Sequence, residues 1–231
     1  IPGDEKKALT HYAYHIKAGK EIFAAEGAFG QYLICFRNLP VAIGITAGAR
    51  EYLAADICLK YMKEAVSEPC KEEQLEVAEK ALRAKLNSLS LVQPEGTFRT
   101  ARKEAAKLFD RKILFTENPR KIESAVFTKD GHRVKIEAVI NGEQKTLYAG
   151  YKVWKRNDLY PDDHTKRYQN VAYAMDAEAL YLSVGLINTS YKEEYCLWVN
   201  SQDKVIATWH PNVTYLPEEP DMIWKFTGTF E

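Results

Sequence analysis

The pattern of hydrophobic and polar positions changes midway along the chain. In the second half, apolar and charged residues largely alternate along positions 134–140. This period of two is typical of a β-strand with one buried face. Asp130-Gly131 and Asn141-Gly142 flank the segment, and both dipeptides favour tight hairpin turns. The pattern therefore predicts a three-stranded antiparallel meander over residues 121–154.

More strand candidates follow the meander. They lie at 171–175, 180–187, 195–200, 204–209 and 222–230, and polar turns separate several of them. Together with the meander they amount to about eight strands with mostly short connections, which is typical of a strongly curved sheet or a partly closed barrel.

The first half favours helices. Residues 1–110 contain 18 alanines, whereas residues 111–231 contain 8, and alanine is the strongest helix former. Apolar residues at helical spacing predict helices over 5–25 and 40–66, and a further helix that begins near residue 69. On the first helix His11 and His15 would stand one turn apart. The glutamate of an HExxH motif is missing between them, so no metal site is expected.

These patterns predict an α+β protein. A helical layer, residues 1–110, would pack on a curved antiparallel sheet, residues 111–231, as one compact unit or as two tightly packed subdomains. Helices that precede a meander resemble the NTF2-like folds in architecture only, and this resemblance implies no function.

Charge and motifs exclude several functions. The chain has 32 basic and 32 acidic residues, a balance that argues against a nucleic-acid partner. The longest weakly charged stretch is interrupted by Arg37 and Pro40, so no membrane span is expected. The sequence lacks the GxxxxGK[ST], GxGxxG and GxSxG patterns, and no cofactor is expected.

The four cysteines leave two interpretations open. They form no CxxC pair, and in an oxidising compartment their even number would allow two disulfides. Together with the missing initiator Met, this favours a secreted or periplasmic protein. The alternative is a cytosolic protein with buried free thiols.

Aromatic residues of the second half suggest a binding function. Trp198, Trp209 and Trp224 lie in three different predicted strands. If the three side chains share one face of the sheet, they would line an apolar pocket. The alternative interpretation is that they form an ordinary aromatic core. The pocket would make the chain a non-catalytic binding or interaction protein whose partner is a small molecule or another protein.

A polar loop supplies the alternative function. Asp162, Asp163, His164 and Tyr168 lie within seven residues of one another. A carboxylate beside His164 would orient the imidazole as a general base or a metal ligand, as a hydrolase or lyase requires. Charged loops between strands are also commonly solvated connections without a catalytic role.

Overall fold

Two separate β-sheets account for most of the secondary structure. The computed structural model describes residues 9, 11–48, 54–67, 71–94, 103–158, 168–187, 189, 191–213 and 223–231. Packing divides the chain into two units, Ile1–Leu91 and Val92–Glu231.

The first unit begins with strands where helices were predicted. Its five-stranded antiparallel sheet follows chain order and contains β1 (His11–Ala13), β2 (Ile16–Ala18), β3 (Ile22–Gly27), β4 (Gln31–Phe36) and β5 (Ala42–Ile45). The predicted helix over 5–25 is therefore wrong wherever the structure describes it, and so is the predicted order of helices before sheet.

Apolar residues on both faces of this sheet explain the error. Ile22 and Ile34 are fully buried, whereas the apolar Phe23 and Leu33 beside them are exposed. Because both faces carry apolar side chains, the period of two is hidden in the sequence. His11 lies in β1 and His15 in the turn that follows, so the two imidazoles do not share a helix face.

The described residues of the same unit then form two α-helices. They are α1 (Ala54–Ser67) and α2 (Leu75–Ser88), and a short 3₁₀ helix (Glu72–Gln74) precedes α2. The helix predicted over 40–66 is thus confirmed only from Ala54 onward. In the part of the chain that the structure describes, no helix has the length and apolarity needed to cross a membrane.

The second unit contains the longer sheet. After α3 (Lys103–Ala106), the described residues of this unit form ten strands: β6 (Lys112–Phe115), β7 (Ile122–Asp130), β8 (Arg133–Ile140), β9 (Glu143–Tyr151), β10 (Lys155–Asp158), β11 (Tyr168–Met175), β12 (Ala179–Leu186), β13 (Lys192–Val199), β14 (Val205–Pro211) and β15 (Trp224–Phe230). The predicted meander is confirmed as β7–β8–β9, and both of its turn glycines have positive φ angles.

The sheet closes into a barrel at two places. β15 pairs with β6 antiparallel, and β9 pairs with β11 parallel through Gly150–Ala172 and Tyr151–Tyr173. Nine strands form the closed wall, and β10 pairs with β11 beside the closure. The predicted curved sheet is therefore confirmed, and it closes fully on itself.

One end of the barrel is filled by apolar side chains. Ala105 of α3 and Leu108 after it are fully buried, in one cluster with Leu180 and Val205. Leu180 and Val205 lie near the strand ends that are closest to Ala105 and Leu108. The interior space must therefore lie toward the opposite strand ends.

A β-bulge changes which side chains of β7 face inward. The register shifts between Ile122 and Ser124, so that Ile122 pairs with Ile140. Regular pairing continued from Ala125 would have placed Glu123 opposite Ile140 instead. Because of the bulge Ile122 faces the interior, while Glu123 is exposed and accepts a hydrogen bond from the Gly142 amide at 2.7 Å.

The described cysteines carry free thiols. They are Cys35, Cys58 and Cys196, and Cys70 lies outside the described residues.

Candidate functional site

A cavity of about 100 Å³ lies inside the barrel, away from α3. All nine strands of the closed wall contribute to its lining. The apolar lining residues are Phe115, Ile122, Ala125, Phe127, Ile136, Ala138, Ile140, Leu147, Val171, Leu182, Val184, Leu197, Ala207 and Phe226. The alternation within each strand explains this lining, because positions two apart share the inner face of the sheet.

Four polar side chains line the same cavity: Arg120, Gln169, Glu193 and Tyr195. Arg120 Nη2 lies 3.1 Å from Glu193 Oε1, and the Tyr195 hydroxyl donates to Glu193 Oε2 at 2.7 Å. The Glu193 side chain is only 11% exposed, whereas that of Arg120 is 39% exposed. We call Arg120, Glu193 and Tyr195 the charged cluster.

The turn between β6 and β7 holds Arg120 in place. Its organising residue is Asn118, which is buried. The Asn118 amide nitrogen donates to Thr116 O at 2.9 Å and to Ile122 O at 2.8 Å, and its oxygen accepts the Ile122 N–H at 3.0 Å. These bonds fix the turn, so that Arg120 reaches the inner face of β13.

The electrostatics of the cluster keep its donors protonated. Burial raises the pKa of Tyr195, and the negative charge of Glu193 raises it further. Burial lowers the pKa of Arg120, but the Glu193 carboxylate and Tyr195 outweigh this effect, and the net pKa lies above its ordinary value. Arg120 therefore stays cationic, and the Tyr195 hydroxyl remains a hydrogen-bond donor.

Two buried donors beside the cavity lack an acceptor among the described residues. They are Arg120 Nε and Trp209 Nε1. Trp209 pairs with Tyr195 across β13 and β14, and the Arg120 guanidinium carbon lies 5.8 Å from the centroid of the Trp209 ring system. A buried donor left unpaired costs about 1–3 kcal/mol, so this end of the barrel is suited to an added acceptor.

The three tryptophans do not share one face of the sheet. Trp209 and Trp224 pair directly, and their ring centroids lie 4.6 Å apart; the Trp209 ring lies beside Arg120. Trp198 is one position out of phase with Leu197, which lines the cavity, so Trp198 is on the outer face. None of these three described residues lines the cavity itself. Their role in ligand binding stays a prediction.

The polar loop of the alternative hypothesis falls largely outside the described residues. Asp162, Asp163 and His164 lie there, and Tyr168 is the first residue of β11, with its backbone paired to Asp158. The hydrolase or lyase function remains a prediction. Across the described ranges, no three His, Cys, Asp or Glu residues come together as a possible metal site.

Sequence reasoning missed the charged cluster. Glu193 lies in phase with Tyr195, Leu197 and Val199, a spacing that places its carboxylate on the apolar face of a strand. That signal was in the sequence, but the strand predicted there begins at 195 and leaves Glu193 outside it. The sequence contained no comparable signal for Arg120, because only the Asn118 turn brings it to β13.

Fold and cavity together define a closed, mainly antiparallel β-barrel with a largely apolar interior and a partly buried charged cluster. No family model matches the sequence, and no curated protein matches it significantly. Similar solved structures include the REP1-NXSQ fatty acid transporter, 12% identical with a TM-score of 0.40, over 55% of this chain and 98% of that one. Another is the fatty-acid-binding protein isolated from Manduca sexta, 9% identical with a TM-score of 0.38, over 53% and 98% of the two chains.

Proposed function

We propose that this protein is a non-catalytic binding protein that holds one small, mainly apolar molecule inside the barrel. The observation that carries the proposal is the cavity, whose wall is apolar on all nine strands and polar only at one end. Enclosed apolar cavities with a few convergent polar groups are typical of small-molecule sites.

Cavity size limits the ligand. The volume is about 100 Å³, and an engineered apolar cavity of roughly 150 Å³ binds benzene. Since the present cavity is smaller than that, a six-carbon chain or a single ring is the largest appropriate probe. Transfer of each buried CH₂ group from water contributes about 0.8 kcal/mol, so that a hexyl chain supplies a measurable affinity.

The test is isothermal titration calorimetry with 1-hexanol. We expect one saturable site with a negative heat-capacity change, because apolar surface is buried on binding. Ala138→Phe and Ala207→Leu place extra atoms in the cavity from two different strands, and each variant should weaken hexanol binding by about tenfold or more.

Val139→Phe is the matched control. Val139 neighbours Ala138 in β8 but faces outward, so the same phenylalanine should leave binding unchanged. Circular dichroism checks that each variant is folded. If the wild-type protein shows no saturable hexanol binding, or if folded forms of both cavity variants bind as well as wild type, the proposal is wrong.

A further inference from the structure

The charged cluster is electrically balanced and its carboxylate is already paired. One guanidinium and one carboxylate face each other, and each Glu193 oxygen has its own donor, Arg120 Nη2 at 3.1 Å and the Tyr195 hydroxyl at 2.7 Å. A ligand that entered the cavity would therefore find no uncompensated negative charge at Glu193.

Hydrogen-bond donors are in surplus at this end of the barrel. Arg120 Nε and Trp209 Nε1 are buried and have no acceptor in the part of the chain that the structure describes. Arg120 lines the cavity, and Trp209 lies beside it across the pairing with Tyr195. A ligand that brings an acceptor would therefore satisfy a donor that the described residues leave unpaired.

We infer that the polar group of the ligand is an uncharged oxygen acceptor, such as an alcohol or ketone oxygen, which binds Arg120 Nε. The inference rests on the proposed function and adds the ligand class. A carboxylate ligand would bring a second negative charge to Glu193, while Arg120 is the one guanidinium among the described residues that line the cavity. An uncompensated buried charge costs several kcal/mol. An ammonium ligand would place further donors against the two unpaired donors.

Four ligands with the same number of carbons test the inference: 1-hexanol, 2-hexanone, hexanoate and hexylammonium. Calorimetric titration is carried out at about pH 7.5, where hexanoate and hexylammonium are charged. We expect 1-hexanol and 2-hexanone to bind at least about tenfold more tightly than either ion.

Glu193→Gln provides the sharper arm of the experiment. The amide keeps the shape of the side chain but removes its charge, so that Arg120 is left without its counter-ion. Hexanoate should then gain more affinity than the wild-type difference between the two ligands, so that the order of hexanol and hexanoate reverses. Tyr195→Phe is the control, since it retains the ion pair and should retain the preference for hexanol.

The outcomes separate the two proposals. If none of the four ligands binds saturably, both the proposed function and the inference are wrong. If hexanoate or hexylammonium binds wild type as tightly as hexanol does, binding stands and the inference is overturned. A folded Glu193→Gln protein that keeps the wild-type order of affinities also overturns it. If the Glu193→Gln protein does not fold, the titrations of the wild-type protein with the four ligands test the inference by themselves.

Discussion

The side chain of Asn157 pairs with the main chain of Tyr148 in the way that a neighbouring strand would. Its oxygen accepts the Tyr148 N–H at 2.6 Å, and its amide nitrogen donates to Tyr148 O at 3.0 Å. The direct pairing of β9 with β11 covers only two residue pairs, Gly150–Ala172 and Tyr151–Tyr173. Asn157, buried at 7% exposure, therefore extends the closure of the barrel by two hydrogen bonds.

Asn157→Ala should destabilise the barrel. The substitution leaves the N–H and C=O groups of Tyr148 without these partners in a partly buried place. We expect a loss of about 1–3 kcal/mol in the free energy of unfolding. Urea denaturation followed by tryptophan fluorescence measures it. Gln144→Ala, on an exposed position of β9, is the control and should change stability by less than about 0.5 kcal/mol. Equal midpoints for the two variants would show that the closure does not depend on Asn157.

Gly150 is the position where β9 meets β11 and where no side chain fits. A Cβ atom there would lie 2.5 Å from Val153 O, a backbone atom that cannot turn away. We expect Gly150→Ala to lower the free energy of unfolding by about 1–3 kcal/mol, because the local backbone must shift. The matched control is Gly185→Ala in β12, whose Cβ would find its nearest neighbour, Trp154, at 3.9 Å. A Gly150→Ala protein as stable as this control contradicts the expectation.

Asn118 should matter for both stability and binding. Asn118→Ala removes three hydrogen bonds within the β6–β7 turn, and we expect a loss of about 1–3 kcal/mol in the free energy of unfolding. Because the turn positions Arg120, affinity for 1-hexanol should fall as well, by about tenfold. Denaturation and calorimetry measure the two effects. The control is Glu117→Ala, at the exposed neighbouring position. An unchanged hexanol affinity in Asn118→Ala would show that the turn does not contribute to ligand binding.

The thiol of Cys196 should react slowly in the folded protein. Burial, and then the negative charge of Asp176, raises the pKa of Cys196 to about 11. At about pH 8 only about one such thiol in a thousand is ionised, and the thiolate is the reactive form. Alkylation by iodoacetamide should therefore be about two orders of magnitude slower than that of free cysteine.

Peptide mapping by mass spectrometry measures this rate for Cys196 separately. The rate should rise about tenfold with each pH unit until the pH approaches the pKa. In urea the same residue should react at the rate of free cysteine, which serves as the internal control. Rapid alkylation of the folded protein near neutral pH would show that the thiol is accessible and unperturbed.

The strands of the second half were predictable from local signals, whereas the strands of the first half were not. Strands such as β8 bury one face only, so their alternation survives in the sequence, and Gly131 and Gly142 mark their ends. Phe23 and Leu33 are apolar yet exposed, which removed the same signal from β3 and β4. Alanine content then favoured helices, although pairing with neighbouring strands overrides such propensities.

The candidate site depends on contacts between residues that are far apart in the sequence, and no local pattern predicts such contacts. Arg120 and Glu193 are far apart along the chain, and only closure of the barrel makes them partners. Aromatic content directed attention to Trp209 and Trp224, of which Trp209 lies beside Arg120 and contacts Trp224. Aromatic content could not indicate the parallel pairing of β9 with β11, since that pairing depends on how all the strands of the barrel are arranged.

The β-bulge in β7 determines the net charge of the side chains that line the cavity. In an unbroken ladder Glu123 would take the position opposite Ile140, and the interior would contain two carboxylates against one guanidinium. Such an anionic chamber would attract cations and would require counter-ions or bound protons of its own. The one extra residue of the bulge thus keeps the charges of the described lining residues, Arg120 and Glu193, in balance.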